Sequence, residues 1–352
     1  MKHTIVILSA LLCIFMQSSC AQRQEGDVRT EHYTLDDFET VEMKDSDAVP
    51  VLVSGLDLLM PYRMRHVGNG ILALQDNGHP EGMLTIIDTR RDTVTYHVAK
   101  GRGPGELLVL WNITVKDGDI WLSGSQDRKV MRITLCDDGS ISDTTFVMKD
   151  DFWSTVPFGT GSVLALSKAF SGNRLDLRSL SGEILDTAGT FPVLKDSPQT
   201  PPDNALFQSE IAVSPDSRHT AVACLSFEYI DIYDKDLNLT HRLSGPEGVP
   251  QKAELLSVPI GKIYSQKPDY NIHRCLACND KEFMVGYIGL ELTDPSQLAT
   301  QARTILSFDW EGRPLKAYHF ESELTYFDID WENDILYGLV NSDEPYILKW
   351  QL

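Results

Sequence analysis

Six short apolar runs recur along the chain: Ile71–Leu74, Ile120–Leu122, Val163–Leu166, Thr220–Cys224, Phe283–Tyr287 and Ile335–Leu339. Their starts lie 49, 43, 57, 63 and 52 residues apart. Each is followed by a second run, as in Leu84–Asp88, Val130–Thr134, Tyr229–Asp234 and Tyr346–Trp350. Several of these alternate apolar and polar positions with period two, the pattern of a strand with one buried face. A tight turn usually follows the second run, as at Asp137-Asp138-Gly139, Ser181-Gly182 and Asp309-Trp310-Glu311-Gly312. Asp and Gly supply the side-chain hydrogen bonds and positive φ that tight turns need. A more polar fourth strand follows in Thr93–Val98 and Leu315–Phe320, and a first strand precedes each pair in Trp111–Val115, Ile211–Ser214 and Tyr326–Asp330.

Four strands per unit, six units and no helical layer predict an all-β fold: a six-bladed β-propeller with four-stranded antiparallel blades. Helical periodicity is scarce, and Ser296–Arg303 offers two turns at most. The sixth unit ends with three strands at Leu352. An unpaired outer edge is adhesive, so an N-terminal strand is expected to close the ring. The candidates are Glu39–Met43 and Val49–Val53, where Pro50 is tolerated only on an edge.

The N-terminus reads as an address. Lys2 and His3 precede a nearly continuous apolar stretch, Ile5–Met16. As a helix it would rise only about 18 Å, too short to span a bilayer, and its flanks fit a signal peptide. Gln17-Ser18-Ser19-Cys20 then resembles a bacterial lipobox, in which Cys20 is acylated and becomes the first mature residue. The expected organisation is a signal peptide over 1–19, a tether over 20–34 and the propeller over 35–352. Ala21 is not the aspartate of inner-membrane retention, so the outer membrane is expected, facing the periplasm or the surface.

Charge narrows the partners. The formal net charge is −20, which repels phosphate backbones and disfavours a polybasic membrane contact. Solubility explains it, and attraction of a cationic ligand is the sharper reading.

Between the first unit's outer strand and the second unit's inner strand lies Lys100-Gly-Arg-Gly-Pro-Gly-Glu106, with a partial echo at Gly245-Pro-Glu-Gly248. The string resembles the GxGPGE signature of TolB-like six-bladed propeller lipoproteins. That resemblance implies the fold and an envelope address, but no settled activity. Arg102 and Glu106 become candidates for the rim of the central channel. The competing reading is a direction-reversing turn in which Glu106 caps a backbone N–H.

Other chemistry is thin. Cys275-Leu-Ala-Cys278 lacks the second pair or histidines that zinc requires, and on a strand its thiols lie too far apart for a disulfide. Histidines occur singly, and His273 on an inner strand is best placed for the channel. Two insertions break the rhythm. One is the Pro-rich Leu194–Ser209; the other, Gly245–Tyr270, carries Tyr264 and Tyr270, aromatics suited to stacking on sugar or peptide. No Gly-x-Ser-x-Gly, Walker or Rossmann motif occurs.

The expected function is a non-enzymatic binding or scaffold lipoprotein of the bacterial cell envelope. Its partner would be an envelope protein, peptide or glycan, bound on the loop face or in the channel. No cofactor or metal site is predicted. One alternative is a metal-dependent propeller hydrolase or lactonase with a channel Ca ion; another is a structural subunit of an envelope complex.

Overall fold

The computed structural model describes residues 28–136, 140–167, 173–192, 194, 206–258, 261–266, 269–293 and 301–352. Three short strands come first: β1 (Thr30–His32), β2 (Glu39–Met43) and β3 (Val49–Pro50). A meander follows of β4 (Pro61–Gly68), β5 (Ile71–Asp76), β6 (Leu84–Asp88) and β7 (Thr93–His97). The second comprises β8 (Asn112–Lys116), β9 (Asp119–Gly124), β10 (Lys129–Leu135) and β11 (Ile141–Val147). The third has β12 (Phe152–Phe158), β13 (Ser162–Ser167), β14 (Leu175–Ser179) and β15 (Ile184–Ala188). The fourth has β16 (Ser209–Val213), β17 (His219–Cys224), β18 (Tyr229–Asp234) and β19 (Leu239–Ser244).

A hairpin of β20 (Ala253–Val258) and β21 (Gly261–Gln266) intervenes; nothing in the sequence pattern marked it. The chain then forms β22 (Tyr270–Cys278), β23 (Glu282–Glu291), β24 (Ala302–Asp309), β25 (Pro314–Asp330), β26 (Ile335–Val340) and β27 (Tyr346–Gln351). These six, with β3 at the far edge, make one eight-stranded sheet when β2 is included beside β25.

That continuous sheet differs from the expectation of separate strands at 315–320 and 326–330. After Pro314, β25 contains no Gly, Pro or Asn to break it. Leu324 pairs with Ala302 on one side and Val340 on the other, so the chain passes onward without a loop. Of the stretch read as helix, 296–300 lies outside the described residues, and Ala302 and Arg303 begin β24.

The sheets stack face to face around an axis. Ala73 and Leu84 of the first meander pack with Ile113, Leu122 and Met131 of the second. Val130 meets Phe152 and Val163 of the third. Leu164 and Leu166 meet Ile211 and Val222 of the fourth. Ala221 and Ile230 then meet Ile272, Phe283 and Phe308, and Leu336, Leu339 and Trp350 return to Met64 and Leu72 of the first. This closed series of packed faces is a β-propeller arrangement. The apolar residues it buries supply the main drive to fold.

Residues 30–50 run along the outside. Thr30–His32 lie parallel to Arg242–Ser244, Glu39–Met43 lie parallel to Lys316–Phe320, and Val49–Pro50 pair antiparallel with Leu348–Lys349. Both candidate edge strands are therefore used, on different neighbours. The docked strand differs from the expectation of a tether through residue 34. Its anchor is aromatic: Tyr33 and Phe38 are buried edge-on to Phe308, with ring centres 5.1 and 5.2 Å away.

Candidate functional site: a cavity at the channel end

The first strand of each meander, with β22 and the later part of β25, faces the axis. Contacts run from β4 to β8, β12, β16, β22, β25 and back to β4. Runs of consecutive residues near the ends of these strands border the channel, as at Arg65–Gly68, Thr114–Asp117 and Leu276–Cys278. At one level Arg63 donates to both carboxylate oxygens of Glu210, at 2.7 and 2.9 Å, and contacts the Tyr326 hydroxyl. Arg274 donates to Tyr62 Oη at 2.7 Å on the same side. Arg63, Glu210 and Tyr326 are buried, so this polar layer plugs the channel.

Below the plug is a cavity of about 410 Å³. It is walled by the C-terminal residues of the inner strands and the turns that follow, including Gly68, Lys116, Pro157, Ser214, Cys278 and Asp330. Those turns need left-handed backbone at Asn69 and Asp117, with φ of 52° and 54°, which the short polar side chains in Asn69-Gly70 and Asp117-Gly118 tolerate.

Arg65 forms part of the wall. Its guanidinium donates to the carbonyls of Ile113 (3.1 Å) and Leu276 (2.8 Å) and reaches Asp328 only at 3.4 Å. Asp328 accepts the His66 N–H at 2.7 Å. Burial raises the Asp328 pKa above the ordinary aspartate value, against the pull of Arg65. Asp330 accepts the backbone N–H groups of Glu332 and Asn333 and faces His66 Nε2 at 3.6 Å. His66 stacks on Tyr337, with ring centres 5.5 Å apart. Lys116 is held by Ser217 Oγ at 2.5 Å. Among the described residues, Thr114 Oγ1 and His66 Nε2 have no hydrogen-bond partner.

The sequence candidates sit elsewhere. Glu106 folds back to accept the Gly103 N–H at 2.7 Å. A Cβ at Gly101 would lie 2.0 Å from its carboxylate, so glycine is needed for that approach. The carbonyls of Arg102, Gly103 and Glu106 accept from Lys129 Nζ at 3.2, 2.9 and 2.7 Å. The loop thus wraps an ammonium of β10, and it precedes β8, whereas the cavity gathers residues from that strand's other end. The Arg102 side chain is exposed.

His273 is buried, with Nδ1 2.8 Å from the Cys224 carbonyl. Burial pushes its pKa down to about 4 despite bonds to the Cys224 and Phe227 carbonyls. Tyr270 donates to Glu291 at 3.2 Å. Tyr264 lies on β21 opposite Leu255. Neither Tyr270 nor His273 borders the cavity. Cys20 lies outside the described residues.

Sequence reading missed Thr114, His66, Asp328 and Asp330. Their signal was positional: each lies on an inner strand, at Ile113–Lys116, Arg65–Gly68 or Asp328–Asp330, but convergence depends on ring geometry. Cys278 does border the cavity, with its thiol against the Val213 carbonyl and its pKa pushed up to about 12 by burial. Among the described residues, no three His, Cys, Asp or Glu side chains converge as a metal-holding group.

Neither a family model nor a curated protein matches the chain. Solved structures do. A candidate exported protein from Bacteroides fragilis NCTC 9343 superposes with a TM-score of 0.54 at 12% identity, covering 88% of this chain and 98% of that one. A member of the DUF4221 family from Bacteroides vulgatus gives a TM-score of 0.54 at 8% identity, covering 86% and 95%. At these identities the likeness concerns the fold.

Proposed function

We propose that this chain is a non-enzymatic binding propeller of the bacterial cell envelope that takes the end group of an envelope peptide or glycan into the channel-end cavity. The open-mouthed cavity bordered by residues of all the inner strands carries this reading, because pockets of this size with a few convergent polar groups are the usual form of a ligand site. Fold alone does not dictate function, so the argument rests on that site.

The ring is read as six-bladed. The eight-stranded sheet divides near Glu321–Glu323 into two meanders, one ending with the first part of β25 and the other beginning with the rest and taking β3 as its fourth strand. The Lys100–Glu106 string supports a place among TolB-like propellers. The apolar stretch before Ser18-Ser19-Cys20 supports export and anchoring at the outer membrane through acylated Cys20, with the lipid as the sole membrane contact.

Ala212 lies on the cavity wall, and Ala212→Trp would fill it. Ligands captured from envelope extracts by the full chain should be lost from this variant while its circular dichroism spectrum is unchanged. Retention of the same ligands by a folded Ala212→Trp protein would reject the cavity as the site.

A further inference from the structure

We infer that the ligand presents a primary ammonium group to this cavity, a deepening that rests on the cavity being the binding site. Three observations carry it. First, the carboxylates outnumber the fixed cations: buried Asp328 and Asp330, with exposed Asp117 and Glu332, border the space with Arg65 and Lys116, and the His66 ring lies 3.6 Å from Asp330. Second, both cations are already engaged. Arg65 gives its short bonds to two backbone carbonyls, and Lys116 is bound to Ser217. Third, Thr114 Oγ1 and His66 Nε2 lack hydrogen-bond partners among the described residues, and both residues border the same space. Thr114 is 8% exposed, and the His66 side chain is 9% exposed.

A buried hydroxyl oxygen without a partner is costly, and an ammonium group is a three-donor ligand that satisfies it. The same group completes the neutralisation of Asp328 and Asp330 in a setting where solvent screens weakly. An anion would meet four carboxylates there. A neutral ligand would leave the excess charge unbalanced. Trp331 also borders the space, and an aromatic ring near carboxylates is favourable to a cation.

The ammonium could be borne by a lysine side chain or by a deacetylated amino sugar, and probe pairs that differ by one acetyl group separate these sources from neutral binding. The full chain in detergent is titrated calorimetrically at low salt with Nα-acetyl-lysine amide and its Nε-acetylated form, and with glucosamine and N-acetylglucosamine. At least one amine should bind about tenfold or more tightly than its acetylated partner. Its affinity should fall about three- to tenfold in Glu332→Gln and rise in Lys116→Gln, because the two changes shift the local charge in opposite directions. Thr114→Val should also weaken it.

Equal or tighter binding of the acetylated compounds overturns the inference. If Ala212→Trp then abolishes that neutral binding, the cavity remains the site and only the charge assignment fails. Binding that Ala212→Trp leaves intact rejects both. Failure of both amines to bind also overturns the inference, as does a shift of the same sign in Glu332→Gln and Lys116→Gln.

Discussion

Arg63 and Glu210 are joined across the channel by two parallel hydrogen bonds of 2.7 and 2.9 Å, linking the first meander to the fourth. Both side chains are 7% exposed. Burial works to raise the Glu210 pKa, but Arg63 outweighs it and holds the carboxylate below its ordinary range. Breaking one side of such a pair costs about 3–5 kcal/mol, because the remaining charge is stranded away from water. Glu210→Ala should therefore lower the denaturant midpoint sharply, whereas the double variant Arg63→Met/Glu210→Leu should recover much of the loss. A single-variant effect below about 1 kcal/mol would contradict the buried pairing. Because the folded pKa is depressed, this stabilisation is complete above the unfolded carboxylate value near ~4.3 and disappears as pH falls through the folded value.

His273 makes a contribution of the same sign at higher pH. The folded protein holds it neutral down to about 4, while the unfolded chain takes up a proton near ~6.5. Stability should fall as pH drops through that window, by roughly 3 kcal/mol from this one group. His273→Gln should flatten the urea-unfolding profile between those limits. An unchanged slope would assign the pH dependence to other groups.

The thiols give a direct reading of the N-terminus. Cys224, Cys275 and Cys278 are buried or partly buried, and burial pushes Cys275 and Cys278 up to about 12, far from the reactive thiolate. Cys136 is exposed. In native protein purified from membranes, a thiol reagent should modify Cys136 rapidly and the three interior thiols only on denaturation. If Cys20 is acylated it contributes nothing to the fast phase. A second fast thiol mapped to Cys20 by peptide mass analysis would exclude lipidation there.

The repeat of apolar runs made the strands legible because each run is short, bounded by turn residues and alternates with period two. Pro50 was likewise readable as an edge residue, and it pairs with Leu348 at the end of the sheet. The β20–β21 hairpin escaped because Ala253–Gln266 carries no Asn-Gly or Asp-Gly turn. The GxGPGE string was recognisable, but which charge it held was not. Glu106 turns inward on Gly103, and Lys129 arrives from the next meander. The echo shows the converse: the N–H groups of Glu247 and Val249 clasp Glu228. The cavity was invisible for a stronger reason. Thr114, Asp328 and His66 come from strands far apart in sequence, and only the axis brings them together.

The outer strands at 30–50 bear on how the molecule carries tension. They form three separate short ladders, on β19, β25 and β27, rather than one long one. A pull on the amino terminus would therefore be met in succession. The three-residue ladder at Thr30–His32 would yield first, and the pairing of Val49–Pro50 with the last strand would still hold. A molecule moored by its amino end would lengthen by stages before its ring opened.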